Sequence, residues 1–424
     1  MKVLHINKRD SGGGAFTACE RLHRGLLDLD IDSWILCEVP SGKVPRSLGL
    51  RKGNKRGRLY ERIRGRLRFE IRRLQKPPFF VEPNCHTTIS LNFLSNNLVN
   101  RIHEIKPDIV HLHWVGAGMM RIEDLPEIMA KFPVVWTLHD LWPLMGGEHH
   151  AYSDERWKTG YTRENRCLSA KGPDLNRWVW NRKMRAWGGS TIHTIAVSQW
   201  VNDCISASRI FNEVKGKRRV IHNGLDESVF RLSQETKNNP RGSDSHANRP
   251  WRLLFGAVAQ DNPIKGGDLL YPTLQVLKAG GRNVELVTFG RGVTKYIDEM
   301  PVLNHGKIHS QLELAQLYAS ADLMLVPSRL ETFGQIASEA LACGTPVVCF
   351  DTSGLRDVVL HKRNGYRAKC YDPFELAKGI EWCLGEPARL DKLKASSREH
   401  AVKYFSIAKI AKTTVDFYNE IFFY

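Results

Sequence analysis

The chain has 424 residues, 42% of them hydrophobic and 25% charged, and a formal net charge of +17. These proportions exclude a disordered or collagen-like chain, and the length exceeds one ordinary core and fits two domains of roughly 200 residues each. No apolar run approaches the roughly 18 residues that span a bilayer. "MKVLHIN" lacks the basic and apolar regions of a secretory leader, and the nine cysteines include no C-x-x-C pair. The expected setting is therefore a reducing cytosol.

In chain order, "KVLHIN" reads as a strand, "SGGGAF" as a tight glycine turn, and 16–29 as a helix with Phe16, Leu22, Leu26 and Leu27 on its apolar face. "SWILCEV" is the next strand. Residues 51–76 then carry twelve basic side chains against Glu61 and Glu70, with Leu59, Ile63, Leu67, Ile71 and Leu74 at helical spacing. Residues 1–230 hold 37 Lys+Arg and 24 Asp+Glu (+13), and residues 231–424 hold 25 and 21 (+4), so the basic excess belongs to the first half. A solvated helix face, a nucleic-acid contact and an anionic membrane surface all accommodate the basic stretch. No nucleic-acid motif accompanies it, and the apolar stripe with arginines favours lipid headgroups.

"IVHLHW" (109–114), "VVWTLHD" (134–140) and "TIHTIAVS" (191–198) read as further strands, and "RRVIHNGLDESVF" (218–230) as a strand and turn closing this half. Residues 233–250 are polar and broken by Pro and Gly, a linker or exposed loop. A second series follows. "RLLFGAVA", "VELVTFG", "LMLVPS" and "TPVVCFD" are strand runs, separated by helical segments near 267–279, 311–320 and 335–343. Continuous apolar runs suit parallel strands buried on both faces. The expected class is α/β, two Rossmann-like doubly wound domains facing across a cleft. The expected boundaries are 1–230, a linker at 231–250, 251–403, and a C-terminal helix at 404–424 packing back on the first domain.

Three stretches have chemical content. In "DSGGGAF" (10–16), glycines between strand and helix let backbone approach a phosphate at a helix N-terminus. Thr17 stands where the dinucleotide fingerprint needs its last glycine, which weakens a Rossmann oxidoreductase reading. In "NPIKGGDLL" (262–270), Lys265 precedes two glycines at a strand-to-helix junction. In "ETFGQIASE" (331–339), Glu331 lies in a loop and Glu339 in a helix that begins near Phe333-Gly334. Glu339 suits two ribose hydroxyls, Glu331 a second polyol, and the helix amides a diphosphate between them. The D-x-D within "DLDID" (28–32) reads as a solvated turn, and the pairs His111/His113 and His149/His150 lack the further ligands of a structural zinc site.

The stretch "PSRLETFGQIASEALACGTPVVCFDTSGLRDVV…NGY" resembles the signature of family 4 of the retaining glycosyltransferases, which have the GT-B fold. Glu331 and Glu339 match its E-x7-E. "SGGGAF", "PDIVHLHW", "TLHDLWPLMGG", "IHNGLD" and "IKGGDLL" follow the family's order, and "RLHRGLLDLDIDSWIL" and "HDLWPLMGGEHH" are similar to members that build colanic-acid-type bacterial exopolysaccharides.

The resemblance implies that Gly13 and Gly14 contact the donor diphosphate or sugar. Lys265 would neutralise the departing diphosphate, with the amides near Gly334-Gln335. Glu331 and the Phe333-Gly334 backbone would position the donor sugar, Glu339 would bind ribose, and His139 would lie near the transferred sugar. It implies a UDP- or GDP-linked donor, no other cofactor, no metal, and a front-face route in which Glu331 is not a nucleophile. Many relatives carry an Arg before the Lys-Gly pair. Here Ala257 stands in its place, with Arg291 a candidate substitute. The basic half suits an acidic, membrane-bound acceptor such as a polyprenyl-diphosphate-linked saccharide, met on the inner face of the plasma membrane. The competing classes are the Rossmann oxidoreductase and a non-catalytic protein that binds membrane or nucleic acid through its charge.

Overall fold

A computed structural model describes residues 1–50, 89–150, 154–231, 249–292 and 302–422. The basic stretch 51–76 and most of the polar segment 233–250 lie outside them. In the first part of the chain, short apolar runs pair in parallel as β1 (Lys2–Ile6), β2 (Asp32–Cys37), β3 (Ser47–Gly49), β4 (Ile109–Leu112), β5 (Val134–Leu138), β6 (His193–Ala196) and β7 (Arg218–Val220), in the order β3-β2-β1-β4-β5-β6-β7. Every residue of β4 and β5 is buried, as strands covered on both faces require. In register, His5 of β1 lies opposite His111 of β4.

The second series forms β8 (Trp251–Ala259), β9 (Val284–Arg291), β10 (Val302–Asn304), β11 (Leu323–Val326), β12 (Val347–Phe350) and β13 (Gly365–Ala368), parallel and ordered β10-β9-β8-β11-β12-β13. Its core joins Leu253, Phe255, Leu286, Leu325 and Phe350 of the sheet to Leu274 and Ile380 of helices Leu270–Ala279 and Pro373–Leu384. Both sheets thus have the doubly wound order of a Rossmann-like unit.

The chain divides into two units. Met1–Ile221 with the segment from Ala411 onward make the first, and His222–Ile410 the second. The division falls at Ile221, so the turn at 222–230, expected to close the first domain, goes with the second. Ser406, with non-helical backbone, separates helix Pro387–Phe405 from helix Ile407–Phe422. Tyr418, fully buried, ties the last helix to the first sheet: its hydroxyl hydrogen-bonds Nδ1 of His111 at 2.5 Å. No helix among the described residues is long and apolar enough to cross a membrane.

In each sheet the strand order reverses beside its first strand, between β1 and β4 and between β8 and β11. Ligands of doubly wound sheets bind beyond the carboxyl ends of the strands at that point. The segments there are 7–14 and 113–118 in the first unit, and 260–267 and 327–334 in the second.

Candidate active site

In the second unit, Asn262 starts a single 3-10 turn, Pro263–Lys265, its side-chain oxygen accepting from the Ile264 amide at 3.0 Å. Gly266 follows at φ +69°, and a Cβ there would lie 1.9 Å from the Pro327 carbonyl oxygen, so only glycine lets the two switch-point loops touch. Arg329 fastens them. Its amide donates to Ile264 O (2.7 Å), and its guanidinium to Pro263 O (2.6 Å) and to both carboxylate oxygens of Asp268 (2.7 and 2.6 Å). This docking sets Lys265 Nζ 2.6 Å from Glu331 Oε1, which also accepts from Ser328 Oγ at 2.9 Å. The Glu331 amide donates to Ser353 Oγ at 2.9 Å, holding the loop from its other side.

Gly334 sits at φ +95° and ends this loop, and the helix Gln335–Ala342 begins there with no side-chain cap. Its amide end thus opens at the tip of the loop that carries Glu331. One turn on, Glu339 is buried, and the hydroxyl of Tyr318 donates to its Oε2 at 3.1 Å. A carboxylate inside a helix and out of water needs such a donor. Phe333 is fully buried against Phe405 and His222, with ring centroids at 5.3 and 5.6 Å. What it offers a ligand is therefore its backbone. His222 in turn bonds Asp357 Oδ2 at 3.0 Å.

The structure therefore brings Lys265, Glu331, Gly334 and Gln335 to one end of the sheet, with Glu339 a helical turn further on. Ala257 is a buried residue of β8. Arg291, exposed at the end of β9, accepts the Gln260 amide on its carbonyl at 2.8 Å, which puts its backbone beside the start of the Lys265 loop.

In the first unit, Gly13 (φ +88°) precedes helix Gly14–Leu27, which also starts without a side-chain cap; both glycines are exposed. His139, half-buried, follows β5 and bonds His113 (Nε2 to Nδ1, 2.9 Å), which bonds His5 (Nε2 to Nδ1, 2.9 Å). His113 and His5 are buried, and burial lowers both pKa values well below the usual histidine range. Burial likewise takes His139 down to about 4, against the pull of Asp140. Ring nitrogens of His5, His111 and His113 approach within 4.8 Å of one another, a spacing a metal can bridge. Those of His111 are taken by Tyr418 and by Thr137 Oγ1 (2.7 Å), and those of His113 by His5 and His139.

The loop after His139 is built as rigidly. Asp140 Oδ2 accepts from Trp114 Nε1 and meets His149 Nδ1, both at 2.6 Å, and His149 Nε2 meets Ser90 Oγ at 2.7 Å. Lys183, wholly buried, donates to the carbonyls of Trp142, Met145 (3.0 Å) and Gly146 (2.7 Å) and lies 3.8 Å from the Trp142 ring centre. Sequence reading missed Lys183, Tyr318, Ser328, Ser353 and His5. His5 alone gave a signal, a polar residue inside a buried strand run.

The Glycosyltransferase Family 4 model matches residues 12–229, and the model for glycosyl transferases group 1 matches residues 243–400. An uncharacterized glycosyltransferase of Methanocaldococcus jannaschii is 30% identical over 380 residues, 85% of this chain and 86% of that one. The D-inositol 3-phosphate glycosyltransferase 1 of Catenulispora acidiphila is 32% identical over 201 residues, 43% of this chain and 47% of that one. The chain's match thus spans about half the length of that relative. Among solved structures, Anabaena HepE in complex with UDP-glucose aligns with TM-score 0.65 and 18% identity, covering 99% of this chain and 100% of that one. Sucrose-phosphate synthase from Thermosynechococcus elongatus aligns with TM-score 0.67 and 17% identity, covering 99% of each. The fold is GT-B, and the chain belongs to family 4 of the glycosyltransferases, as the E-x7-E stretch implied.

Proposed function

We propose that the protein transfers a sugar from a nucleotide diphosphate sugar to a hydroxyl, with retention at the anomeric carbon. The observation that carries this is the meeting of Lys265, Glu331 and the amide end of helix Gln335–Ala342 at the switch point of the second sheet. As the bond to the anomeric carbon breaks, negative charge gathers on the leaving diphosphate. The helix amides meet that charge already in place, and Lys265 meets it in exchange for Glu331. Glu331 accepts from sugar hydroxyls and Glu339 from ribose. The reading assigns Gly13 and Gly14 to the donor and His139 to the transferred sugar. Since the leaving phosphate takes the acceptor proton in a front-face reaction, neither carboxylate acts as a nucleophile, and no metal is called for.

The donor is UDP- or GDP-linked, in keeping with the UDP-glucose held by HepE. The acceptor is a lipid-linked saccharide of exopolysaccharide assembly, reached from the cytoplasmic membrane face through residues 51–76, whose twelve basic side chains support the assignment. The names of the inositol 3-phosphate relatives put that compound in the acceptor panel as well. The test is calorimetry of UDP-, GDP- and ADP-sugars on the wild type and Glu339→Ala. Selective binding that weakens in the variant is the expected result. A folded wild type that binds none of them overturns the proposal. Turnover of the selected donor in excess chelator checks the metal-free reading, and sedimentation with anionic liposomes before and after charge reversal of 51–76 checks the membrane contact.

A further inference from the structure

Every residue of β4 is buried, yet Trp114, two positions beyond that strand at the switch point of the first sheet, is only half-buried. Each of its polar groups is bonded within the unit. Its amide donates to Asn7 Oδ1 (3.0 Å), its carbonyl accepts from the Lys8 amide (2.9 Å), and its Nε1–H donates to Asp140 Oδ2 (2.6 Å). What remains for a ligand is the indole ring. His149 packs nearly parallel to it, with ring centroids 5.5 Å apart and planes at 28°, and packs in the same way on the buried Trp142 (6.4 Å, 23°). No other ring lies against Trp114 among the described residues.

The groups behind the ring are held in one state. Ser90 is buried, and its Oγ accepts from the Ala117 amide at 2.8 Å, so its own proton has one acceptor among its partners, His149 Nε2 at 2.7 Å. That nitrogen therefore carries a lone pair, and His149 donates to Asp140 through Nδ1–H. A carboxylate on Nε1–H feeds electron density into the indole and strengthens the negative face of its quadrupole. Gly116 lets the next stretch of chain pass along the ring edge, for a Cβ there would lie 2.7 Å from His149 Cε1 and 3.0 Å from Trp114 Cζ2. The chain then turns sharply through Ala117 (φ +51°) and Gly118 (φ +76°). A left-handed alanine is uncommon, and this one is tied by Ser90 at its amide and by Lys8 Nζ at its carbonyl (3.3 Å).

A rigid, half-open and electron-rich ring with no polar group to spare suits the polarised C–H face of a pyranose, and its negative face repels a phosphate. We propose that Trp114 is a binding residue whose indole is the platform for one sugar ring of the reaction, with Asp140, His149 and Ser90 as the positioning residues behind it. That the ring comes from a donor or an acceptor of glycosyl transfer rests on the function proposed above; the platform itself does not.

The test is NMR of the full chain labelled with 15N-tryptophan, with the Nε1–H signal of Trp114, one of eleven tryptophans, assigned by its loss in Trp114→Phe. The probes are UDP and GDP, the sugar nucleotide that calorimetry selects, and methyl α-glucoside and maltose at millimolar concentration with UDP present. The signal moves with the sugar nucleotide and not with the bare nucleotide if the transferred sugar stacks, and with the simple saccharides if the acceptor does. A signal that follows UDP or GDP as far as it follows the sugar nucleotide reports a base and overturns the proposal, as does one that stays in place with every saccharide. Where the wild type binds no sugar nucleotide, the proposed function falls and the simple saccharides alone decide the platform. In steady-state kinetics Trp114→Ala should raise KM for the stacked substrate about three- to tenfold, the worth of one aromatic contact, and Trp114→Phe should avoid most of that rise. A folded Trp114→Ala protein with wild-type KM for donor and acceptor alike overturns the proposal as well.

Discussion

Lys265 is already committed to Glu331, so an incoming diphosphate must compete for its ammonium. Their side chains are 30% and 13% exposed at a separation of 2.6 Å. Fully exposed pairs contribute about 0.2–1 kcal/mol, and hydrogen bonds to charged groups about 1.5–3 kcal/mol. A half-buried pair with one further donor, Ser328, falls near the boundary, at about 1 kcal/mol. Glu331→Gln keeps the shape and removes the charge. Because UDP lacks the transferred sugar assigned to Glu331, it loses nothing in the variant and gains an unencumbered Lys265. Its affinity should therefore rise about fivefold, the equivalent of about 1 kcal/mol. A nucleotide sugar loses the carboxylate's hydroxyl contacts, and those outweigh the gain, so its binding and turnover should fall. Calorimetry of UDP (and GDP) and of the matching sugar nucleotide, on wild type and variant at low salt, reads both signs. UDP binding that is unchanged or weaker in Glu331→Gln refutes the competition, and with it the assignment of Lys265 to the phosphates.

Tyr318→Phe removes the hydroxyl that donates to Glu339. Donor KM should rise roughly three- to tenfold with kcat little changed, in steady-state kinetics, as a ribose-site hydrogen bond requires. Lys183→Met takes a donor from three buried carbonyls, of which that of Trp142 keeps the Met145 amide, so urea unfolding should show a loss of about 2–3 kcal/mol at about 1 kcal/mol per bond. Stability should also depend on pH in two opposed ways. His139 and His111 are lowered to about 4 and about 3 by burial, so below about 6.5 the unfolded chain takes up protons that the native one refuses, and stability falls as pH drops toward 4. Glu148 is pushed up to about 8, by burial first and then by Asp154, so its contribution is lost as pH rises from about 4.5 through 8. Thermal unfolding across pH should therefore peak near pH 6.5–7, and Glu148→Gln should flatten the alkaline side and steepen the rise from about pH 4.5 to 6.5.

The strands that build the two sheet centres were legible because parallel strands covered on both faces need unbroken apolar runs, as in "VVWTL" and "LMLV". Two of the three-residue edge strands, Ser47–Gly49 and Val302–Asn304, were not, since three residues carry no periodicity and neither runs on into a longer apolar or turn signal. Among site residues, Glu331, Glu339 and Lys265 could be named because each lies beside a glycine break that marks a strand-to-helix junction. Their partners could not. Tyr318 stands in a helix 21 positions before Glu339, and Ser353 lies 22 after Glu331; only the sheet order brings them close. The His5–His113–His139 chain needed the register as well, because His5 reaches its neighbours only when β1 pairs with β4.

The two units hold their functional groups by different physics, and the difference predicts how each responds to change. In the second unit, the groups assigned to the donor sit on loops tied by ion pairs near the surface, Lys265 to Glu331 and Arg329 to Asp268, where a charged ligand would exchange with a partner. In the first, the groups around His139 form a network removed from water: three histidines, Asp140 with His149 and Ser90, and Lys183 under its carbonyls. A buried polar network cannot exchange partners cheaply, because each orphaned member loses its hydrogen bond and gains no water in return. Substitutions in the second unit should therefore appear in ligand affinity with the fold intact. Those in the first should move stability and turnover together, since the network that holds His139 also holds the loop that follows it.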